Sequence, residues 1–168
     1  MAGSLTLVFL LVVCFAATAA DNHHNNMHAC KNVAYGKSAV QSSEYNSEKY
    51  PASNAVNGDL TDFSHTKKEK SAWLRIDLGE DHEVTEVEVF TRPNCCGGRL
   101  HDVDVRVGKT ANFNDMVLCG HFHGPAHVGE KFSVWCPSET VGRYVQIQAV
   151  GGSETYLDPA EVAVWGHL

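Results

Sequence analysis

The chain is short of positive charge: 13 Lys and Arg stand against 20 Asp and Glu, a formal net charge of −7 over 168 residues. Such an acidic surface repels phosphate backbones and anionic headgroups, so no nucleic acid and no anionic lipid surface is expected as a partner. Long hydrophobic runs are scarce as well. Leu5 to Phe15 is almost wholly apolar but shorter than the roughly 20 residues a spanning helix needs. Nothing later in the chain replaces it, so no membrane insertion is expected. No internal repeat, heptad or long amphipathic helix is visible. No Ser/His/Asp or Cys/His nucleophile arrangement stands out, and no pair of carboxylates is marked out to face each other across a glycosidic bond. Glu86 and Glu88 share one face of an expected strand and read as a solvated surface.

What is present begins with a secretory signal. The apolar run is followed by the small residues Ala16 to Ala20, the pattern of a cleavable segment over 1–20, although its n-region lacks Lys and Arg. The remainder, about 148 residues, is one domain's worth and long enough to bury a core. Residues 21–29 are polar, rich in His and Asn and without apolar periodicity, and read as a flexible arm ahead of a single domain over 30–168. Cleavage would remove Cys14 and leave Cys30, Cys95, Cys96, Cys119 and Cys136 in an oxidising compartment. An odd number permits two bridges and one leftover thiol, reactive or intermolecular.

From Trp73 onward apolar residues recur with period two. Leu74, Ile76 and Leu78 alternate with Trp73, Arg75 and Asp77; Val103, Val105 and Val107 with Asp102, Asp104 and Arg106; Val145, Ile147 and Ala149 with Gln146 and Gln148. These spacings predict half-buried strands, as do residues 84–90, 132–136 and 162–165. Gly79-Glu80-Asp81, residues 108–115, 137–142 and 151–153 read as breaks between them. Many short strands at this spacing predict an all-β sandwich.

The most informative stretch is Arg92-Pro93-Asn94-Cys95-Cys96-Gly97-Gly98-Arg99. Consecutive α-carbons lie about 3.8 Å apart, under the usual disulfide span of about 4.4–6.8 Å, so a bond between Cys95 and Cys96 would close a strained eight-membered ring. That ring would be a flat apolar plate, and the arginines beside it are planar forks of donors with no acceptor. Together they suit a small polyhydroxylated ligand with one apolar face, a sugar above all.

The same residues resemble the F-type lectins, the fucose-binding agglutinins. Their motif is His, twenty-six residues, Arg, any residue, Asp, four residues, then Arg or Lys; here His65, Arg92 and Arg99 stand at those offsets, with Asn94 in place of the Asp. The similarity runs from about Asn32 to Trp165. It implies a jelly-roll β-sandwich of the galactose-binding-like (discoidin-like) type, with no enzymatic activity and with ligand and metal sites on loops at one end. It implies that His65, Arg92 and Arg99 hydrogen-bond the hydroxyls and ring oxygen of fucose while a bonded Cys95–Cys96 pair touches one ring face. Distant partners or a metal are the alternatives for these two cysteines, but the chain has no second close cysteine pair of the kind a structural zinc site needs, and Cys119 and Cys136 have each other. A Cys119–Cys136 bridge would close a loop of about eighteen residues and contribute roughly 3 kcal/mol. An ionised Asp at position 94 could hold an arginine, and the neutral Asn94 offers a weaker hold.

The resemblance also implies a structural calcium ion. Asn54, Asn57, Asp59, Asp62 and Ser64, with Ala160 and Glu161 far downstream, supply hard oxygen donors around a glycine turn; an ordinary Asn-Gly turn is the alternative. Because this loop leads into His65, the metal would act by fixing the loop. Many family members join a cysteine just before the site His to one near the C-terminus, and this chain has Phe63 and Ala160 there. Phe63 and Tyr45 are candidates for a pocket around the fucose methyl group, with core packing as the alternative. Expected partners are fucosylated glycans and further copies of the chain, since a lone monosaccharide site gains from avidity; a Cys30–Cys30 bridge would supply a dimer.

Two rival readings compete. His121, Phe122 and His123 with His127 match the two-plus-one spacing of some zinc sites, and Asp21-Asn22-His23, if exposed as an amino terminus, suits copper or nickel. These would make the chain a metal-handling extracellular protein with a vestigial sugar site, although surface histidines on a glycine-rich loop are the simpler expectation. The other rival is a secreted glycosidase.

Overall fold

The computed structural model describes residues 29–168. The expected signal over 1–20, the arm except for Ala29, and the Asp21-Asn22-His23 motif lie outside the described residues. Ten strands follow in order: β1 (Lys31–Asn32), β2 (Ser38–Gln41), β3 (Glu69–Lys70), β4 (Trp73–Thr91), β5 (Val103–Gly108), β6 (Val117–Phe122), β7 (Lys131–Trp135), β8 (Val141–Ala149), β9 (Glu154–Thr155) and β10 (Pro159–His167). Three short 3-10 turns, Ala52–Val56, Gly97–Arg99 and Phe113–Asp115, are the helical elements among the described residues.

β4 organises the sandwich. Its first part, through Asp77, pairs with β2 on one side and β8 on the other, and β5 and β6 extend that layer beyond β8. From Glu83 to Thr91 it pairs with β10, and from Glu86 to Phe90 with β7, while β1 lies outside β10. Every one of these pairings is antiparallel. Leu74, Ile76, Leu78, Val105 and Ile147 on one layer face Val87, Val89, Val134, Val162 and Val164 on the other, all buried. Period-two alternation is what lets each strand give one row of branched side chains to that core.

Three local expectations are corrected. Gly79-Glu80-Asp81 does not separate two strands: residues 73–91 run continuously, with a register shift between Asp77 and His82 where the strand passes from one layer to the other. Bulges bend strands without ending them. Glu86 and Glu88 are buried rather than solvated, because β10 and β7 flank them on both sides. Trp165 and Trp135 lie opposite Glu86, and Glu88 accepts a 2.8 Å bond from Trp165 Nε1 and pairs with Lys131. Finally, His121 lies on a strand, β6, in a segment that reads from sequence as loop; Val-Leu-Cys-Gly-His-Phe has no alternation to reveal it.

Candidate functional site

Loops at one end of the sandwich bring the motif residues together. The chain leaves β4 at Thr91 and enters the Arg92–Arg99 segment directly. Cys95 and Cys96 are bonded to each other, with α-carbons 3.8 Å apart, and Cys96 takes a left-handed φ of 70°. Gly97 then passes so close to a second loop that a β-carbon there would meet the backbone carbon of His127 at 2.4 Å. No side chain fits, so glycine lets the plate sit against its support. The 3-10 turn that follows, closed by Arg99 N–H donating to Cys96 O at 3.0 Å, places Arg99 beside the plate. Cys119 and Cys136 form the second expected bridge, tying β6 to the end of β7. Cys30 is buried at the start of the described fold, its sulfur 3.7 Å from Thr85 Oγ1.

The three polar residues share one anchor that sequence reasoning missed. Asp158, 1% exposed, lies behind the pocket, and its Oδ2 accepts from Arg99 Nη1 at 2.7 Å and Arg92 Nη1 at 3.1 Å. His65 Nε2 is 3.8 Å from the same oxygen. Asn94 contributes as well, its Oδ1 accepting from Arg92 Nε at 2.8 Å. The missing motif carboxylate therefore does not leave the arginines unheld: a neutral acceptor takes its place and Asp158 supplies the charge. Burial pushes the Asp158 carboxyl up, while its bonds to Arg99 and Arg92 and the nearby His65 pull the other way. The Nη2 groups of both arginines take part in no hydrogen bond among the described residues, which leaves them as donors for a ligand.

His65 is held in one orientation. Its Nδ1 lies 2.6 Å from Thr66 O, so Nδ1 carries the proton and Nε2 is left as an acceptor, 3.3 Å from Arg99 Nη1. Burial lowers its pKa below the ordinary 6.5; the Thr66 carbonyl and Asp158 oppose this and the two arginines add to it. His65 is thus neutral at pH 7.

Aromatic rings complete an open pocket of about 240 Å³ lined by Tyr45, Tyr50, Phe63, His65, Arg92, Cys95, Cys96, Arg99 and Tyr156. Tyr45 stacks on His65 with centroids 4.6 Å apart, and Tyr50 stacks on Phe63 at 4.5 Å. Arg92 Cζ lies 3.6 Å from the centre of the Phe63 ring and Arg99 Cζ 4.4 Å from that of Tyr156. These contacts fix the planes of both guanidinium groups. Phe63 is buried and also lines the pocket, so core and pocket are one role here. Tyr50 and Tyr156 carry no sequence signal; only folding brings them to the motif.

The oxygen-rich loop lies next to this pocket. Gly58 N–H donates to Glu161 Oε2 at 3.1 Å, Asn57 Nδ2 to Asp62 Oδ2 at 3.0 Å, and Asn54 Nδ2 to Phe63 O at 3.1 Å. Asp59 is turned to its own loop, accepting from Thr61. Glu161 Oε1 and Asp62 Oδ1 are buried with no partner. Burial raises Glu161 from 4.5 to about 7, despite backbone bonds from Gly58 and Asn57. Two buried, unpartnered carboxylate oxygens among hard donors fit a cation such as calcium. Ser64 N–H donates to Pro159 O at 3.0 Å and Thr66 N–H to Leu157 O at 3.1 Å. Backbone bonds thus join the two segments where Phe63 and Ala160 replace the cysteines of many family members.

Comparison with known proteins agrees with this geometry. The family described as NedA-like, galactose-binding domain matches residues 54–147. Fucolectin-3 of Anguilla japonica is 30% identical over 145 residues, covering 80% of this chain and 79% of its own length. The structure of a fucolectin from the serum of the striped bass, Morone saxatilis, is 29% identical and superposes with a TM-score of 0.73, covering 83% of this chain but 50% of the bass chain. This chain therefore spans half the length of that relative. The lectin domain of lectinolysin, solved with Lewis b antigen, is 28% identical with a TM-score of 0.65, over 80% of this chain and 95% of that one. With the motif residues gathered at one end of a galactose-binding-like all-β sandwich, the chain belongs to the F-type lectin (fucolectin) family.

Proposed function

We propose that the chain is a secreted lectin that holds terminal α-L-fucose on glycans without altering it. One observation carries the reading: Arg92, Arg99 and His65 converge on a shared buried carboxylate beside an open pocket with the bonded Cys95–Cys96 pair in its wall. In this reading the Nη2 donors of the two arginines reach adjacent sugar hydroxyls, since one planar guanidinium can serve two acceptors. His65 Nε2 accepts from a further hydroxyl. The disulfide meets the apolar ring face, a task more often given to an aromatic side chain, and Tyr45 and Phe63 enclose the methyl group.

Glu161, Asp62 and the carbonyls and side chains of 54–64 would hold a structural calcium ion, whose charge would offset buried carboxylates and stiffen the loop leading to His65. Fucosylated oligosaccharides of the Lewis b kind, bound by lectinolysin's lectin domain, are the expected ligand class. Recognition of such glycans on microbes or cells, as in innate defence or agglutination, fits a pocket this open only if several copies act together, so a homo-oligomer is expected. Disulfide pairing fits an extracellular location. A glycan array probed with and without a calcium chelator tests the reading: signal confined to fucosylated glycans and lost on chelation is expected, and binding independent of fucose would refute it.

A further inference from the structure

We propose that Asp102, His121 and His123 form a site for a divalent transition cation of the zinc class, separate from the sugar pocket and from the oxygen-rich loop. One ligand atom from each lies within 4.8 Å of the others. His121 and His123, two residues apart at the end of β6, point to the same side, as period two requires, and Asp102 immediately precedes β5, the strand paired with β6. Their backbones are locked together: Asp102 N–H donates to His123 O at 3.1 Å, and Val150 N–H to Asp102 O at 2.8 Å. Asp102 adopts φ 48°, an unusual backbone for a non-glycine residue.

The surroundings are those of a supported metal site. Asp104, 8% exposed and directly across from His121 in the strand pair, takes the Nδ1 proton of His121 on Oδ1 at 2.8 Å, while Arg106 holds its Oδ2 at 3.2 Å. That bond fixes the tautomer with Nε2 bare, the carboxylate–histidine–metal arrangement that orients a ligating ring. Nε2 lies 3.8 Å from Asp102 Oδ1. Two ligands each about 2.1 Å from one ion are at most about 4.2 Å apart, so this pair can share an ion as it stands. The His123 ring sits edge-on to His121 with centroids 4.4 Å apart and closes the set by a side-chain rotation. Asp102 Oδ2 is occupied by His101 Nδ1 at 2.9 Å, leaving Oδ1 for the ion. Two imidazoles and one carboxylate favour zinc-class ions over calcium, and three protein ligands leave one position open. Neither His127 nor the spacing of the three histidines is involved; the third ligand is an acidic residue nineteen positions before His121 in sequence.

The test is equilibrium dialysis of the full chain, stripped with chelator, against Zn²⁺ in excess Ca²⁺. Wild type and a His23→Ala/His24→Ala control should each bind one ion at this site, and His121→Ala, His123→Ala or Asp102→Asn should weaken it at least tenfold. Equal zinc binding by a His121→Ala/His123→Ala variant, or loss of all tight binding in the control, would overturn the proposal. Imidazole nitrogen resonances of wild type give a second measurement that needs no variant. Zinc should shift Nε2 of His121 while its Nδ1–H persists, and an unmoved Nε2 would likewise overturn it.

Discussion

Asp158 and Arg99 are joined by a 2.7 Å contact from Oδ2 to Nη1 at the back of the pocket, and the same oxygen takes Arg92 at 3.1 Å. One buried carboxylate thereby holds two like charges side by side, which water alone would not do without repulsion. Asp158 does not line the pocket; it positions the groups that do.

Asp158→Asn should therefore weaken fucose binding at least tenfold and also destabilise the fold. Arg92 is left buried without its counter-charge, a loss on the order of 3 kcal/mol, at the low end for broken buried pairs because Arg99 is a third exposed. The urea midpoint and a fucose titration measure both. A variant unchanged in affinity would show that the pocket does not depend on this anchor.

The two arginines should separate in their effects. Each loses charge-assisted bonds to the sugar on replacement by Ala, about 1.5–3 kcal/mol or a Kd raised roughly 10- to 150-fold. Arg92 is also buried against Phe63, so Arg92→Ala should lower the melting temperature more than Arg99→Ala, which removes a side chain that is a third exposed and leaves Asp158 paired with Arg92.

Much of this site could be read from fixed offsets. His65, Arg92 and Arg99 stand at motif spacing, and the adjacent cysteines announce their bond. Asp158, Tyr50 and Tyr156 could not be found that way, because they arrive on separate loops and no local pattern marks a residue such as Asp158, whose partner Arg99 is 59 positions away. The sandwich followed from the alternation in 73–78, 103–107 and 145–149. The continuity of β4 through Gly79 did not, since a bulge and a turn share the same Gly-Glu-Asp chemistry. Nor did the burial of Glu86 and Glu88, which depends on β10 and β7 flanking them rather than on their own alternation.

Binding should hold from pH 8 down past 6.5 and fall at lower pH. Burial depresses the His65 pKa below 6.5, so the acceptor Nε2 is protonated only in more acidic solution, where a cation would also face Arg92 and Arg99. The same depressed pKa makes the His65 contribution to stability complete above about pH 6.5 and lost as pH falls through the folded value. Binding that halves near pH 7 would contradict this assignment.

Chelated protein should lose stability as pH rises. Glu161 is raised from 4.5 to about 7 by burial, so its contribution is complete below pH 4.5 and is lost as pH climbs through 7, when the carboxylate charges without a partner. Calcium should raise the melting temperature more at pH 8 than at pH 6, and Glu161→Gln should abolish that difference. A calcium effect equal at both pH values would remove Glu161 from the metal site.

Whether one pocket, built by Arg92, Arg99, His65 and the Cys95–Cys96 plate, holds fucose is decided by a crystal structure with methyl α-L-fucoside. Hydroxyls are expected within hydrogen-bond distance of both guanidinium groups and of His65 Nε2, with one ring face against the disulfide. A fucoside bound elsewhere on the sandwich, with this pocket empty, would contradict it.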